Sequence, residues 1–444
     1  MARGDRGNMK GIDTTAKRFG PIWLAPDVNY IHLSAFFYAS LVTIGMLTFV
    51  NFGQTYLLRE NFGMTGGEGT LIGLMTVAGE LTIMLTVGMY GILCDRIGRR
   101  PVYALGMILM GLSYIIYPLA SVIWVLFLAR VIYAAGVSAA TGMLGTVMND
   151  YPQEQSRGKM IALSGMLLGI GAVAANGYFR NLPTRFIESG LDSITAGQYT
   201  FWIIAAICIV SGIVVGIGLK PGTPHQERPS LRELAKSGFT EAAKPRTGLS
   251  YASAFVARSD MVIIGTFTVL WGGVAGREMG IGGAESAARG VLLFIVAQGA
   301  GLVWSPVMGY LVDRFNRVSV LAFGSFISAA VFFTTLLVGD PFDNRYLPLF
   351  ALLGIGQISV FYSSQALIGQ EAPAAKRGSV IGAFATCGAV GILIFSGIGG
   401  WLFDVWRPAG AFVLVGIGAT LLGIAAVIVR IRWPGPMPQE ELVK

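Results

Sequence analysis

Apolar runs of about 20 residues recur from Ile31 to Arg430, and a run of that length can cross a bilayer as a helix. Short stretches rich in charge, glycine and proline separate them. The pattern predicts twelve spans, at 34–57, 70–93, 101–120, 122–147, 160–178, 199–219, 261–279, 289–312, 318–338, 347–369, 378–402 and 408–430. The expected fold is therefore an all-α integral membrane protein. Its parts would be an N-terminal segment (1–33), a first six-helix bundle (34–219), a central loop (220–260), a second bundle (261–430) and a tail (431–444). Within the loop, SLRELAKSGF suits a short amphipathic helix on the membrane surface or a solvated linker helix.

An even number of spans puts both termini on one side. Of the 32 lysines and arginines, 24 fall on the side of the termini and 7 on the other, with Arg130 left inside a span. The positive-inside rule then places both termini in the cytoplasm, and a bacterial inner (plasma) membrane is the expected location. Composition agrees: 54% of the 444 residues are hydrophobic, 13% are charged and the mean hydropathy is +0.66. The net charge of +8 sits in short connections without a basic domain, so no nucleic-acid partner is expected. Cys94, Cys208 and Cys387 have neither metal-site nor disulfide-framework spacing. The polar N-terminus shows no cleavable signal peptide. His32 and His225 read as interfacial or solvent residues. Neither a Walker A sequence nor a nucleophile–base arrangement is visible, so no cofactor and no enzyme activity are expected.

One charged stretch occurs twice. GILCDRIGRR (91–100) recurs as GYLVDRFNR (309–317), pairing Gly91 with Gly309, Asp95 with Asp313, Arg96 with Arg314 and Arg99 with Arg317 at an offset of 218 residues. Arg157-Gly158 recurs as Arg377-Gly378 at an offset of 220. Two landmarks with almost one period indicate a duplicated six-helix unit, a signature of secondary transporters.

On these residues the chain resembles the major facilitator superfamily. GILCDRIGRR matches its loop signature G-x-x-x-D-R-x-G-R-R, through Gly91, Asp95, Arg96, Gly98, Arg99 and Arg100; the second copy departs at Asn316, where the family favours Gly. The resemblance implies two bundles rocking around a central site, with alternating access; the cysteine and histidine placement leads to no expected metal. The resemblance also implies that the two loops form a cytoplasmic latch favouring the outward-facing state. Gly91 would admit a helix from the other bundle, and Asp95 would face that helix's positive end, worth about 0.3–2 kcal/mol. A purely topological role for these charges is the alternative.

Two ionisable residues lie deep in predicted spans, Glu80 and Arg130. Counted from the cytoplasmic ends their depths differ by five residues, roughly 7 Å at 1.5 Å per residue. Such charges usually face a cavity or a partner. The expectation is that they exchange partners during transport and that Glu80 carries a proton; a static buried pair is the alternative. In RVIYAAGV, similar to the family's R-x-x-Q-G-x-G, Tyr133 and Ala134 replace the Gln and first Gly, while Gly136 matches. Gln298 stands 218 residues after Glu80 as a neutral counterpart.

The family's cavity is lined by spans 1, 4, 7 and 10, which here offer Tyr38, Asn51, Gln54, Tyr133, Thr268, Trp271, Gln357 and Tyr362. Each could equally be interhelical glue. GMLLGIGAVAANG lacks the Gly-Pro pair of many drug antiporters. The expected function is a monomeric secondary transporter of a small organic solute, coupled to protons. An uncoupled uniporter or exchanger, a lipid or lysolipid flippase and, less favoured, a non-transporting membrane receptor are the alternatives.

Overall fold

A computed structural model describes residues 17–20, 22–153, 156–221, 239–373 and 377–435; the side chains of 95, 157, 158, 162, 377 and 378 lie outside that description. Among the described residues, twelve helices are long and apolar enough to cross a membrane. Spans 1 to 6 are Tyr30–Glu60, Glu68–Ile97, Arg99–Ile116, Ile123–Asp150, Arg157–Phe179 and Ser193–Gly218. Spans 7 to 12 are Pro245–Glu278, Gly283–Arg314, Arg317–Phe333, Leu347–Glu371, Arg377–Val405 and Gly410–Arg432.

Polar caps set several starts by accepting otherwise orphaned backbone N–H groups. Asn29 accepts from the His32 N–H at 2.8 Å, and His32 accepts in return from the Asn29 N–H at 3.3 Å. Asp192 caps span 6 through Thr195. The two loop motifs turn differently. Gly98 joins spans 2 and 3 with φ of 92°, a region glycine enters freely. At the equivalent position Asn316 has φ of −57° and caps span 9 through the N–H groups of Val318 and Ser319. A side-chain cap there does the work of a glycine turn.

The duplication reappears as packing. In the first bundle span 1 packs on 5 and 6, and span 3 on 4 and 6; in the second, span 7 packs on 11 and 12, and span 9 on 10 and 12. The close approach of spans 3 and 4 needs Gly106, where a Cβ would stand 2.6 Å from the Ala140 nitrogen; its counterpart Gly324 would meet the Ser359 oxygen at 2.7 Å.

Two elements depart from expectation. Span 7 starts at Pro245, sixteen residues before 261, so the central loop does not extend to 260. Its serines hide their polarity inside the helix: Ser250 donates to the Thr247 carbonyl (2.7 Å) and Ser259 to that of Phe255 (2.6 Å). SLRELAKSGF lies outside the described residues, apart from Phe239. The N-terminal segment carries a hairpin, Arg18–Phe19 with Ile22–Trp23, tied to the first bundle where the Ala25 N–H donates to the Tyr151 carbonyl at 2.8 Å.

Candidate functional site

The two bundles are joined by a cluster of contacts at the end opposite the termini, the far end. Span 2 crosses span 11 through small residues: a Cβ on Gly73 would stand 2.5 Å from the Ser396 oxygen, and one on Gly400 2.3 Å from the Gly69 oxygen. Asp404 of span 11 accepts from the backbone N–H groups of Gly69 (2.9 Å) and Thr70 (2.5 Å), placing a carboxylate on the positive N-terminus of span 2. Glu68 pairs with Arg277 of span 7, which also donates to the Met64 carbonyl at 2.9 Å. Arg59 donates to the Gly273 carbonyl (3.0 Å), to the Ser286 hydroxyl (3.1 Å) and to the Ile281 carbonyl. Arg180 of span 5 reaches the Ala288 carbonyl of span 8 at 3.2 Å.

The termini end is arranged otherwise. Added Cβ atoms on Gly91 and Gly309 would meet nothing within 4 Å. Arg96 and Asp313 are exposed. Arg99 pairs with Asp150, and Arg100 donates to the Gly216 carbonyl, both within the first bundle. Arg314 donates to the Tyr310 hydroxyl (2.6 Å) and Arg317 to the Ala366 carbonyl (3.4 Å), both within the second. Among the described residues neither glycine of the expected latch has a helix against it; the Asp95 side chain lies outside them.

Between the two ends, Asn51 of span 1 accepts from the Thr266 hydroxyl of span 7 at 3.3 Å. Glu80 is half-buried on span 2, the span that runs along span 11. No ion pair joins it to Arg130 among the described residues. Two guanidiniums lie within electrostatic reach of it, Arg258 of span 7 and Arg130 of span 4. Arg130 donates through Nε to the Met75 carbonyl (3.2 Å) and lies over the Tyr133 ring, 5.3 Å from its centroid. Among the described residues its Nη1 is buried without a hydrogen-bond partner. Arg258 was missed in the sequence because the start of span 7 reads as loop.

The remaining cavity candidates divide. Gln54 is buried and donates to the Tyr117 hydroxyl (3.1 Å), and the Tyr133 hydroxyl donates to the Leu47 carbonyl (2.6 Å). Gln298 donates to Gln357 at 3.0 Å, joining spans 8 and 10. Tyr362 is half-buried beside Phe361. Three candidates sit away from the boundary between bundles. Tyr38 shares a 2.9 Å hydrogen bond with Ser211 of span 6 and lines a lateral groove with Ile213 and Ile217. Thr268 is buried against its own helix, donating to the Ile264 carbonyl at 2.5 Å. Trp271 packs on Phe350 and Phe412 in the core of the second bundle. Helices apolar all round reveal which span carries a polar group but not which way it faces.

Two pseudo-equivalent six-helix bundles, tied at one end around a charged midsection, define a membrane transporter of the two-bundle class. The chain belongs to the Major Facilitator Superfamily, whose family model matches residues 33–396 and, separately, 261–442. The magnetosome protein MamH of Paramagnetospirillum magneticum is 26% identical over 415 residues, covering 91% of this chain and 93% of MamH. The inner membrane transport protein YajR of Escherichia coli is 25% identical over 424 residues, covering 91% of this chain and 86% of YajR. Among solved structures, the nucleoside transporter NupG superposes with a TM-score of 0.70 over 90% of this chain and 99% of NupG; at 13% identity the likeness is one of fold.

Proposed function

We propose that this transporter moves a small organic solute by alternating access, coupled to protons, as a monomer in the bacterial inner membrane with both termini in the cytoplasm. The 24-to-7 bias of basic residues supports the orientation, and YajR's name supports the membrane. With that orientation the far-end contacts seal the periplasmic side, while among the described residues the Gly91 and Gly309 loops on the cytoplasmic side carry no matching contact. The feature that carries the reading is a carboxylate, Glu80, half-buried on span 2 within electrostatic reach of two guanidiniums, Arg130 in its own bundle and Arg258 in the other. A carboxyl at that depth changes its charge at modest cost only where cations compensate it. The far-end contacts and the Gly91 and Gly309 loops then act as the two alternating seals.

The test has two steps. A thermal-shift screen in detergent at about pH 5.5 and 7.5 finds the solute, since a ligand at 100 times its Kd adds about 2.7 kcal/mol. Uptake into proteoliposomes under an imposed pH gradient then tests coupling. Wild type is expected to concentrate solute with the gradient, and Glu80→Gln to lose gradient dependence. Equal gradient dependence in both would end the proton role of Glu80; transport indifferent to the gradient in wild type would establish uniport or exchange. A second reading, a lysolipid substrate, is favoured by one feature: an apolar lateral groove of about 620 Å³ lined by Tyr251, Phe255, Phe395 and Leu421. A thermal shift with lysolipids alone would put that reading first.

A further inference from the structure

We propose that Arg258 is an anion-binding residue of the transport cavity. The solute would then be a small organic anion whose carboxylate or phosphate competes with Glu80 for the Arg258 guanidinium. This deepens the transport reading above and rests on it.

Position comes first. Arg258 and Glu80 lie about 20 and 25 Å along their helices from the termini-side ends, at 1.5 Å per residue. They are thus at similar depth and in opposite bundles. Arg130 and Glu80 share a bundle, so rigid rocking leaves their separation nearly fixed. It is the Arg258–Glu80 separation that changes between states, and Arg258 is the partner able to report which end is open.

Availability comes second. The Arg258 side chain lies flat on span 11, where a Cβ on Gly388 would stand 2.2 Å from its Cδ, and Nη1 reaches the Ala385 carbonyl at 3.4 Å. That contact fixes the stem while the residue remains exposed. A guanidinium carries five N–H donors in a planar fork matched to carboxylate and phosphate. The second guanidinium, Arg130, has the buried and unpartnered Nη1, and an unmet buried donor is costly unless a ligand satisfies it.

Local charge comes third. Span 7 contributes Arg258, span 4 Arg130 and Tyr133, and span 2 Glu80. The titratable group of the span 11 stretch around Gly388 is Cys387, which lines the lateral groove with Tyr251 and Phe255. Asp260, two residues beyond Arg258, is fully buried. Two cations against one carboxylate leave room for one anionic group, and bidentate capture by Arg is the strong form of that contact.

The test uses the full-length protein in detergent at constant ionic strength, melted with benzoate, its neutral isostere benzamide, or inorganic phosphate. Wild type is expected to be stabilised by an anion and not by benzamide; whether benzoate or phosphate acts more strongly assigns the anionic group. Glu80→Gln removes the competitor and should tighten apparent affinity about tenfold. Arg258→Gln should abolish the anion response, and Arg258→Lys, with the charge but not the fork, should keep part of it. An unchanged response in Arg258→Gln, an equal response in Glu80→Gln and wild type, or no anion response in Glu80→Gln would overturn the proposal. Should Arg258→Gln fail to fold, Arg258→Lys decides: full wild-type affinity there counts against fork recognition. None of these results touches the pH-gradient test of Glu80, so the two readings fail separately.

Discussion

The carboxylate of Asp404 accepts a 2.5 Å hydrogen bond from the backbone N–H of Thr70, so one side chain of the second bundle caps the first turn of span 2 in the first. A charge-assisted bond of this kind contributes about 1.5–3 kcal/mol. Asp404→Asn keeps an acceptor and loses the charge, and should shift the equilibrium roughly tenfold towards far-end opening. Spin labels at Gly66 and Gly282 would read the change, because added side-chain atoms meet nothing within 4 Å at either position. A distance distribution identical to that of the labelled parent would show that this contact does not hold the far end shut.

Gly91 supplies the complementary prediction. It faces open space in the described state, yet the loop motif assigns it to a helix crossing in the opposite state. Gly91→Leu should therefore leave thermal stability within about 0.5 kcal/mol of wild type, while stopping transport and holding the far-end labels at their closed distance. Normal transport by this variant would reduce GILCDRIGRR to a topological signal.

Asp192 caps span 6 outside the membrane-spanning segment. The Thr195 N–H donated to it holds its carboxyl below the ordinary carboxylate range. A depressed carboxyl contributes stability that is fully present above its unfolded value and is lost as pH falls through the folded one. Asp192→Ala should melt below wild type at neutral pH, and the two melting curves should converge under acid conditions. A gap that stays constant into acid would remove the cap from the account.

The twelve spans, the duplication and the family signature were legible because apolar length, charge placement and period are one-dimensional properties. Facing is not. Tyr38, Thr268 and Trp271 lie in the expected spans and point away from the bundle boundary, since helices apolar on every side carry no stripe to orient them. The stretch SYASAFVARSD reads as polar, which placed Arg258 and Asp260 in a loop. Serines bonded to their own helix make it a membrane segment. The far-end seal also escaped notice, because Asp404, Glu68 and Arg277 sit where spans end and look like ordinary boundary charges.

Asp260 tests how such a segment tolerates a carboxyl. It is 0% exposed, at the middle of span 7, and among the described residues neither carboxylate oxygen has a hydrogen-bond partner. A buried polar group without partners costs about 1–3 kcal/mol, more when charged. Replacing it by a group of similar volume should be neutral or stabilising. Asp260→Asn and Asp260→Val are both expected to melt at or above wild type in detergent. Should Asp260→Val also keep transport, the residue is a tolerated cost of the helix. Transport lost with stability gained would show instead that the carboxyl serves another state of the cycle. A marked loss of stability in both variants would mean that Asp260 has partners its described surroundings do not provide.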